Sequence, residues 1–109
     1  MAWTLDSSGT QTCVVGTEAT LSSPTTNGTY AFQWRLNNMA AGDVFELRVY
    51  AMTLVGGVLE QIWKGSYGPI VPVNPVVQSP PIASDQQLRF TVKQTAGTGR
   101  AVDWKALRI

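Results

Sequence analysis

The stretch Tyr30-Ala31-Phe32-Gln33-Trp34-Arg35-Leu36-Asn37 decides the fold class of this chain. Tyr30, Phe32, Trp34 and Leu36 fall on alternate positions, with Ala31, Gln33, Arg35 and Asn37 between them. Successive side chains of an extended chain point to opposite faces, so this pattern is a strand with one buried face. The preceding Pro24-Thr25-Thr26-Asn27-Gly28 reads as a turn, because Asn-Gly tolerates positive φ. Asn38 to Asp43 reads as a short connection that ends in a Gly-Asp turn pair.

Outward from this strand the same period continues. Val44 to Val55 reads as a long strand with Phe45, Leu47 and Val49 inward, and with Glu46 and Arg48 outward beside Tyr50. Gly56-Gly57 follows and Val58 to Lys64 resumes strand character, which predicts a hairpin. Leu88, Phe90 and Val92 alternate with Arg89, Thr91 and Lys93. The turn Thr95 to Gly99 and a last strand from Arg100 to Ile109 then read as a closing hairpin. Ala2 to Asp6, Gln11 to Val15 and Glu18 to Leu21 are shorter strand candidates near the start. Seven or eight strands without β-α alternation predict an antiparallel β-sandwich, with a jelly roll as its expected topology. Strand order is not readable from these patterns.

Gly68 to Ser84 breaks the period. It holds Pro69, Pro72, Pro75, Pro80 and Pro81, five of the six prolines, and proline cannot donate a ladder hydrogen bond. The segment reads as an extended crossover, lying against the body or against a neighbour through Ile70, Val71, Val73, Val76 and Val77. The expected organisation is one domain over residues 1–109, with an N-terminal arm (1–8) and this proline-rich crossover (68–84).

Composition narrows the function. At 109 residues and 11.8 kDa, a folded chain exposes about 5,900 Å² and buries about two-thirds of its surface, enough for a core without staples. Charged residues are only 14%, against a usual quarter or so, which predicts a surface partly hidden against neighbours. The formal net charge is +1 with no basic run, so the footprint of a nucleic-acid binder is missing. The opening MAWTLDSSGT has no basic head and apolar run, and no apolar stretch is long enough to span a bilayer. The expectation is synthesis in the cytoplasm and no membrane partner.

The chemistry-bearing residues are few. Histidine is absent and Cys13 is the one cysteine, so neither an internal disulfide nor a Cys/His zinc site can be built. A nucleophile–base pair lacks its usual base. Of the seven acids, Asp6, Asp43 and Asp85 sit in turn contexts, while Glu46 and Glu60 are expected to face each other beside Arg48 and Lys64. The expectation is no enzyme, no cofactor and no metal. Four tryptophans raise a second possibility, a carbohydrate-binding surface. Trp34 and Trp104 lie in alternating strands and read more readily as core, whereas Tyr50, Trp63 and Tyr67 form a candidate exposed aromatic surface. Trp3, near the terminus, is a candidate anchor on a partner.

Asn38 to Tyr50 together with Leu54-Val55-Gly56-Gly57, Leu88 to Arg100, Trp104 to Ile109 and the opening Ala2-Trp3-Thr4-Leu5-Asp6 resemble small structural proteins of tailed bacteriophages. These motifs are hairpin sequences without catalytic chemistry. The resemblance implies a virion protein of the head decoration, or cement, type. Such a protein is made in the host cytoplasm and sits on the capsid surface as a homo-oligomer, commonly a trimer, bound to the major capsid protein. Trp3 and Leu5 are then candidates for capsid contact, and Pro69, Val71, Val73, Val76 and Val77 for self-association. For both groups the alternative is that they fold back on their own sandwich. A tail, neck or fibre-associated protein and a carbohydrate-binding module remain the alternative functions.

Overall fold

The computed structural model describes residues 2–109. Its strands are β1 (Thr4–Thr12), β2 (Glu18–Ser22), β3 (Gly28–Arg35), β4 (Val44–Met52), β5 (Leu59–Tyr67), β6 (Val76–Gln78), β7 (Ile82–Ser84), β8 (Leu88–Ala96) and β9 (Ala101–Arg108). One sheet has the order β1-β9-β3-β6, with β7 also beside β3, and the other has the order β2-β8-β4-β5. Every pairing is antiparallel, and the pairings nest: β1 with β9, β2 with β8, β3 with β6 and β7, and β4 with β5. Rolling that ribbon so that β9 also meets β3, and β8 also meets β4, gives a jelly roll. The antiparallel sandwich expected from the period-two pattern is the fold.

Cross-sheet aromatic contacts fill the core. Tyr30, Phe32, Trp34 and Leu36 are all buried, as the alternation requires. They face Phe45, Leu47 and Val49 of β4 and Leu88, Phe90 and Val92 of β8, which are buried as well. Phe32 stacks on Phe90 of the opposite sheet with ring centroids 4.1 Å apart, and Trp34 stacks on Trp63 of β5 at 5.6 Å. Trp104 of β9 lies 5.5 Å from Phe32, nearly parallel to it. Such pairs contribute about 0.5–1.5 kcal/mol each beyond the area they bury.

Several local expectations need correction. Nine strands replace seven or eight because the proline-rich edge is interrupted at Pro80-Pro81, which divides β6 from β7. Ser79 bridges the interruption: its amide donates to the Phe32 carbonyl at 2.9 Å, and its hydroxyl accepts from the Phe32 amide at 3.0 Å. The hydroxyl thereby supplies the acceptor for the Phe32 amide where the edge strand is interrupted. The closing segments do not pair as a hairpin. β8 and β9 belong to different sheets, and Gly97 to Arg100 carry the chain across the sandwich. A sheet-crossing corner uses the same turn residues as a hairpin, so local sequence does not separate the two.

The start of the chain also differs. The candidates Ala2–Asp6 and Gln11–Val15 become one strand, β1, with a bulge at Asp6 that keeps Ser7 to Thr12 in register with Ala106 to Ala101. From Thr4 onward the expected arm is therefore an edge strand of its own sheet. The β4–β5 hairpin forms as expected, although β4 ends at Met52. The Gly57 amide closes the turn on the Leu54 carbonyl at 2.9 Å, with Gly56 at φ +73°.

This packing makes a direct prediction. Phe90→Ala removes one half of the central stack and should lower unfolding stability by about 3–5 kcal/mol in urea titrations. Ile70→Ala, on an exposed loop, should change it by no more than about 0.5 kcal/mol.

Candidate interaction surfaces

One end of the sandwich is knitted together by two buried polar side chains. Asp43 immediately precedes β4, and its carboxylate accepts from the Ala40 amide (2.9 Å), the Thr98 amide (3.1 Å) and Arg100 Nε (2.8 Å). The β3–β4 connection and the β8–β9 crossing thus meet on one residue. Gly97, at φ +93°, passes so close to Asp43 that a Cβ there would collide with the carboxylate. Gln94 does the same for the neighbouring loops. Its side-chain amide donates to the carbonyls of Ala96 and Thr98, its Oε1 accepts from the Arg100 amide, and its own carbonyl accepts from Gly16 of the β1–β2 loop. The Ala40 bond is the main cause holding the Asp43 carboxyl below its usual value. Burial opposes it, and Arg100 and Thr98 reinforce it.

The loop between Tyr67 and Val76 leaves this knitted end clamped at both ends. The Pro69 carbonyl accepts from the Gly42 amide (2.9 Å), and the Pro75 carbonyl accepts from the Leu36 amide (2.7 Å). Between the clamps Ile70 is 83% and Val73 97% exposed, with Val71 partly so. Of the residues expected to self-associate, Pro69, Val71, Val73 and Val76 are accessible. Val77 is not, because it pairs with Trp34 across β6 and β3 and joins the core. A second exposed apolar group stands at the opposite end of the sandwich, where the β4–β5 turn presents Leu54, Val55 and Val58.

The aromatic residues are not displayed as a platform. Trp63 turns inward onto Trp34, and both it and Tyr67 pack against the core. Tyr50 is half-buried on the outer face, where its hydroxyl donates to Glu18 at 2.6 Å. The coplanar exposed surface of Tyr50, Trp63 and Tyr67 is therefore not formed. The reason is positional: Trp63 and Tyr67 occupy the inward positions opposite Val49 and Phe45. Trp34 is core as expected, and Trp104 is only partly covered. Trp3 and Leu5 are exposed beside and on β1.

The outer faces carry the charge. On the β2-β8-β4-β5 sheet, Arg48 bridges Glu18 and Glu46 at 3.0 Å each, and Lys64 reaches Glu46 at 2.6 Å. Burial would raise the Glu18 carboxyl, yet bonds from Thr91, Tyr50 and Arg48 together bring it below its usual value. The Lys64 bond is the leading cause that lowers Glu46. Glu60 is not part of this group. It pairs with Ala51, while Glu46 pairs with Ser66, so the hairpin register sets the two glutamates far apart along the strands. The three best-partnered carboxyls are thus all held ionised, as structural ion pairs require. On the other sheet, Ser8, Thr10, Gln33, Arg35, Asp103 and Lys105 line an open groove of about 460 Å³. Burial pushes the Cys13 thiol up, as befits a packed side chain. Among the described residues no cluster of His, Cys, Asp or Glu could hold a metal ion, and no helix is long and apolar enough to cross a membrane.

Sequence reading missed Gln94 and the reach of Asp43. One signal was present: Gln94 continues the buried series Leu88, Phe90, Val92, so it is a polar side chain at a core position.

Because the Asp43 carboxyl is lowered in the folded state, its contribution is complete above the unfolded value near pH 4 and fades as pH falls further. Asp43→Asn should cost about 1–3 kcal/mol at neutral pH, through donors left with a poorer acceptor. The gap between variant and parent should narrow below about pH 4, as read from urea midpoints across a pH series. Comparison with family models, curated proteins and solved structures finds no match to this chain.

Proposed function

We propose that this chain is a non-enzymatic virion structural protein of the head-decoration type, which binds a capsid lattice and its own copies. The observation that carries this reading is the clamped loop: Ile70, Val71 and Val73 stand in solvent between two backbone anchors. Pro69, Pro72 and Pro75 fix φ along the loop, so little conformational freedom remains to be lost when it docks. Apolar side chains on a pre-ordered loop are what a packed subunit contact needs. The low charge of the chain and the resemblance of its hairpin sequences to phage structural proteins support the same reading. Repetition over a symmetric lattice multiplies a modest contact, so a small apolar loop suffices where many copies bind together.

In this reading the β4–β5 turn at the far end offers a second apolar contact, and the capsid and a sister copy divide the two ends between them. The inward setting of Trp63 and Tyr67 weighs against the carbohydrate-binding alternative.

The test is co-sedimentation with empty heads of the phage that encodes the chain, alongside light scattering of the free protein. Wild type should pellet with heads, and Ile70→Asp combined with Val73→Asp should lower retention at least tenfold while unfolding at the same urea midpoint. A folded wild type that stays in the supernatant would contradict the proposal.

A further inference from the structure

Four margins bound the two sheets: β1 and the β6–β7 edge on one, β2 and β5 on the other. A marginal strand turns unpaired amides and carbonyls outward, and proteins ordinarily blunt such edges with proline, lysine, a bulge or brevity. Three of these margins are blunted. β6 and β7 have three residues each and are divided by Pro80-Pro81. β2 has five residues with a register break between Thr20 and Ser22. β5 carries Glu60 and Lys64 and is bulged opposite Val49 and Tyr50.

β1 is different. It runs nine residues without proline, lysine or arginine. Its one break, at Asp6, leaves the uncharged stretch Ser7-Ser8-Gly9-Thr10-Gln11-Thr12 in unbroken register with β9. Outside that ladder, the Thr12 carbonyl is the one backbone group of this stretch with a partner among the described residues, the Gln11 side chain at 3.0 Å. Ser8, Gly9, Thr10 and Thr12 are exposed.

We propose that β1 is a self-association edge, pairing antiparallel with β1 of a second copy about a two-fold axis at Gly9. This register sets Ser8 opposite Thr10 of the second copy, Ser7 opposite its Gln11 and Asp6 opposite its Thr12. Hydroxyls face hydroxyls and no like charges meet, which are the cross-strand pairs that antiparallel strands favour. A two-fold contact demands a self-complementary patch, and this hexapeptide supplies one. The occupant is a second copy rather than a foreign strand. An added foreign strand is selected by pockets for its alternate side chains, and the central positions here are Ser, Gly and Thr. Gly9 leaves no such pocket, since the Trp104 ring lies directly beneath it and a Cβ there would stand 3.1 Å from that ring.

The net charge of +1 sets little repulsion between copies. The edge lies across the sheet from the margin that the Gly68–Pro75 loop enters, so this contact goes beyond the function proposed above and is separable from it.

The experiment is analytical ultracentrifugation over rising concentration with three proteins: wild type, Ser8→Lys with Thr10→Lys, and Ser8→Glu with Thr10→Glu. Both substituted positions are exposed, and urea midpoints check that each variant folds. In the proposed register each double variant sets like charge against like charge twice. Wild type should reach twice the mass of either variant, and an equimolar mixture of the two variants should recover it. The mixture keeps the test valid because it needs no comparison with wild type. Equal masses for wild type and both variants, or a mixture no heavier than its components, overturn the proposal. The loop variants Ile70→Asp and Val73→Asp leave this edge intact and should not change the outcome.

Discussion

The stack of Phe32 on Phe90 is the contact on which the sandwich depends. The two rings come from different sheets and lie 4.1 Å apart, so neither sheet has a complete inner face alone. Around this pair Trp104 covers Phe32 from β9, Tyr30 approaches Phe90 at 6.5 Å, and Trp34 meets Trp63 across the gap. An isolated antiparallel sheet with one apolar face must cover it, and interlocked aromatic rings cover it with few residues. That economy matters in a chain of 109 residues, where the fraction of surface removed from water is modest.

A consequence reaches the surface. With Trp34, Trp63 and Tyr67 drawn inward, the aromatic groups most suited to stacking on a ligand are largely committed to the core. What remains outside is aliphatic at the ends and polar on the faces. Asp43 and Gln94 join three connections at one end, and the Gly42 and Leu36 amides of the β3–β4 connection hold the Pro69–Pro75 loop against it. The exposed valines and isoleucine of that loop are held in place by backbone bonds to the connection that Asp43 ties to the end of the roll. The residues of the proposed contact and the bonds that close this end of the roll therefore lie on adjoining loops.

Period two along Tyr30–Asn37 and Val44–Val49 carried the fold class because each inward position is a large apolar residue, and burial follows pattern directly. The Gly-Gly hairpin was legible for a related reason, since its turn and both of its strands are local in sequence. Strand order was not. The β1–β9 and β2–β8 pairings join residues from opposite ends of the chain, and no local signal selects them. β8 and β9 show the limit clearly, because a glycine-rich turn serves a hairpin and a crossing equally well. The proline-rich segment was legible as a break in the period, but whether its apolar residues covered the body or stood in solvent was not, since that depends on where the loop is anchored. Nor was the burial of Val77, which comes from pairing with β3 rather than from its neighbours in sequence. Trp63 was misplaced because its proximity to a loop suggested exposure, while its register opposite Val49 sets it inward.

The claim that the aromatic residues serve the core rather than a ligand surface is open to one direct measurement, acrylamide quenching of tryptophan fluorescence in wild type and Trp3→Phe. Trp3 is 39% exposed, whereas Trp34 is fully buried and Trp63 and Trp104 pack against the core. Trp3→Phe should remove most of the quenchable emission and leave a blue-shifted, weakly quenched remainder. A red-shifted, readily quenched component that survives when Trp3→Phe is combined with Trp104→Phe would contradict the account, because Trp63 would then stand open to solvent.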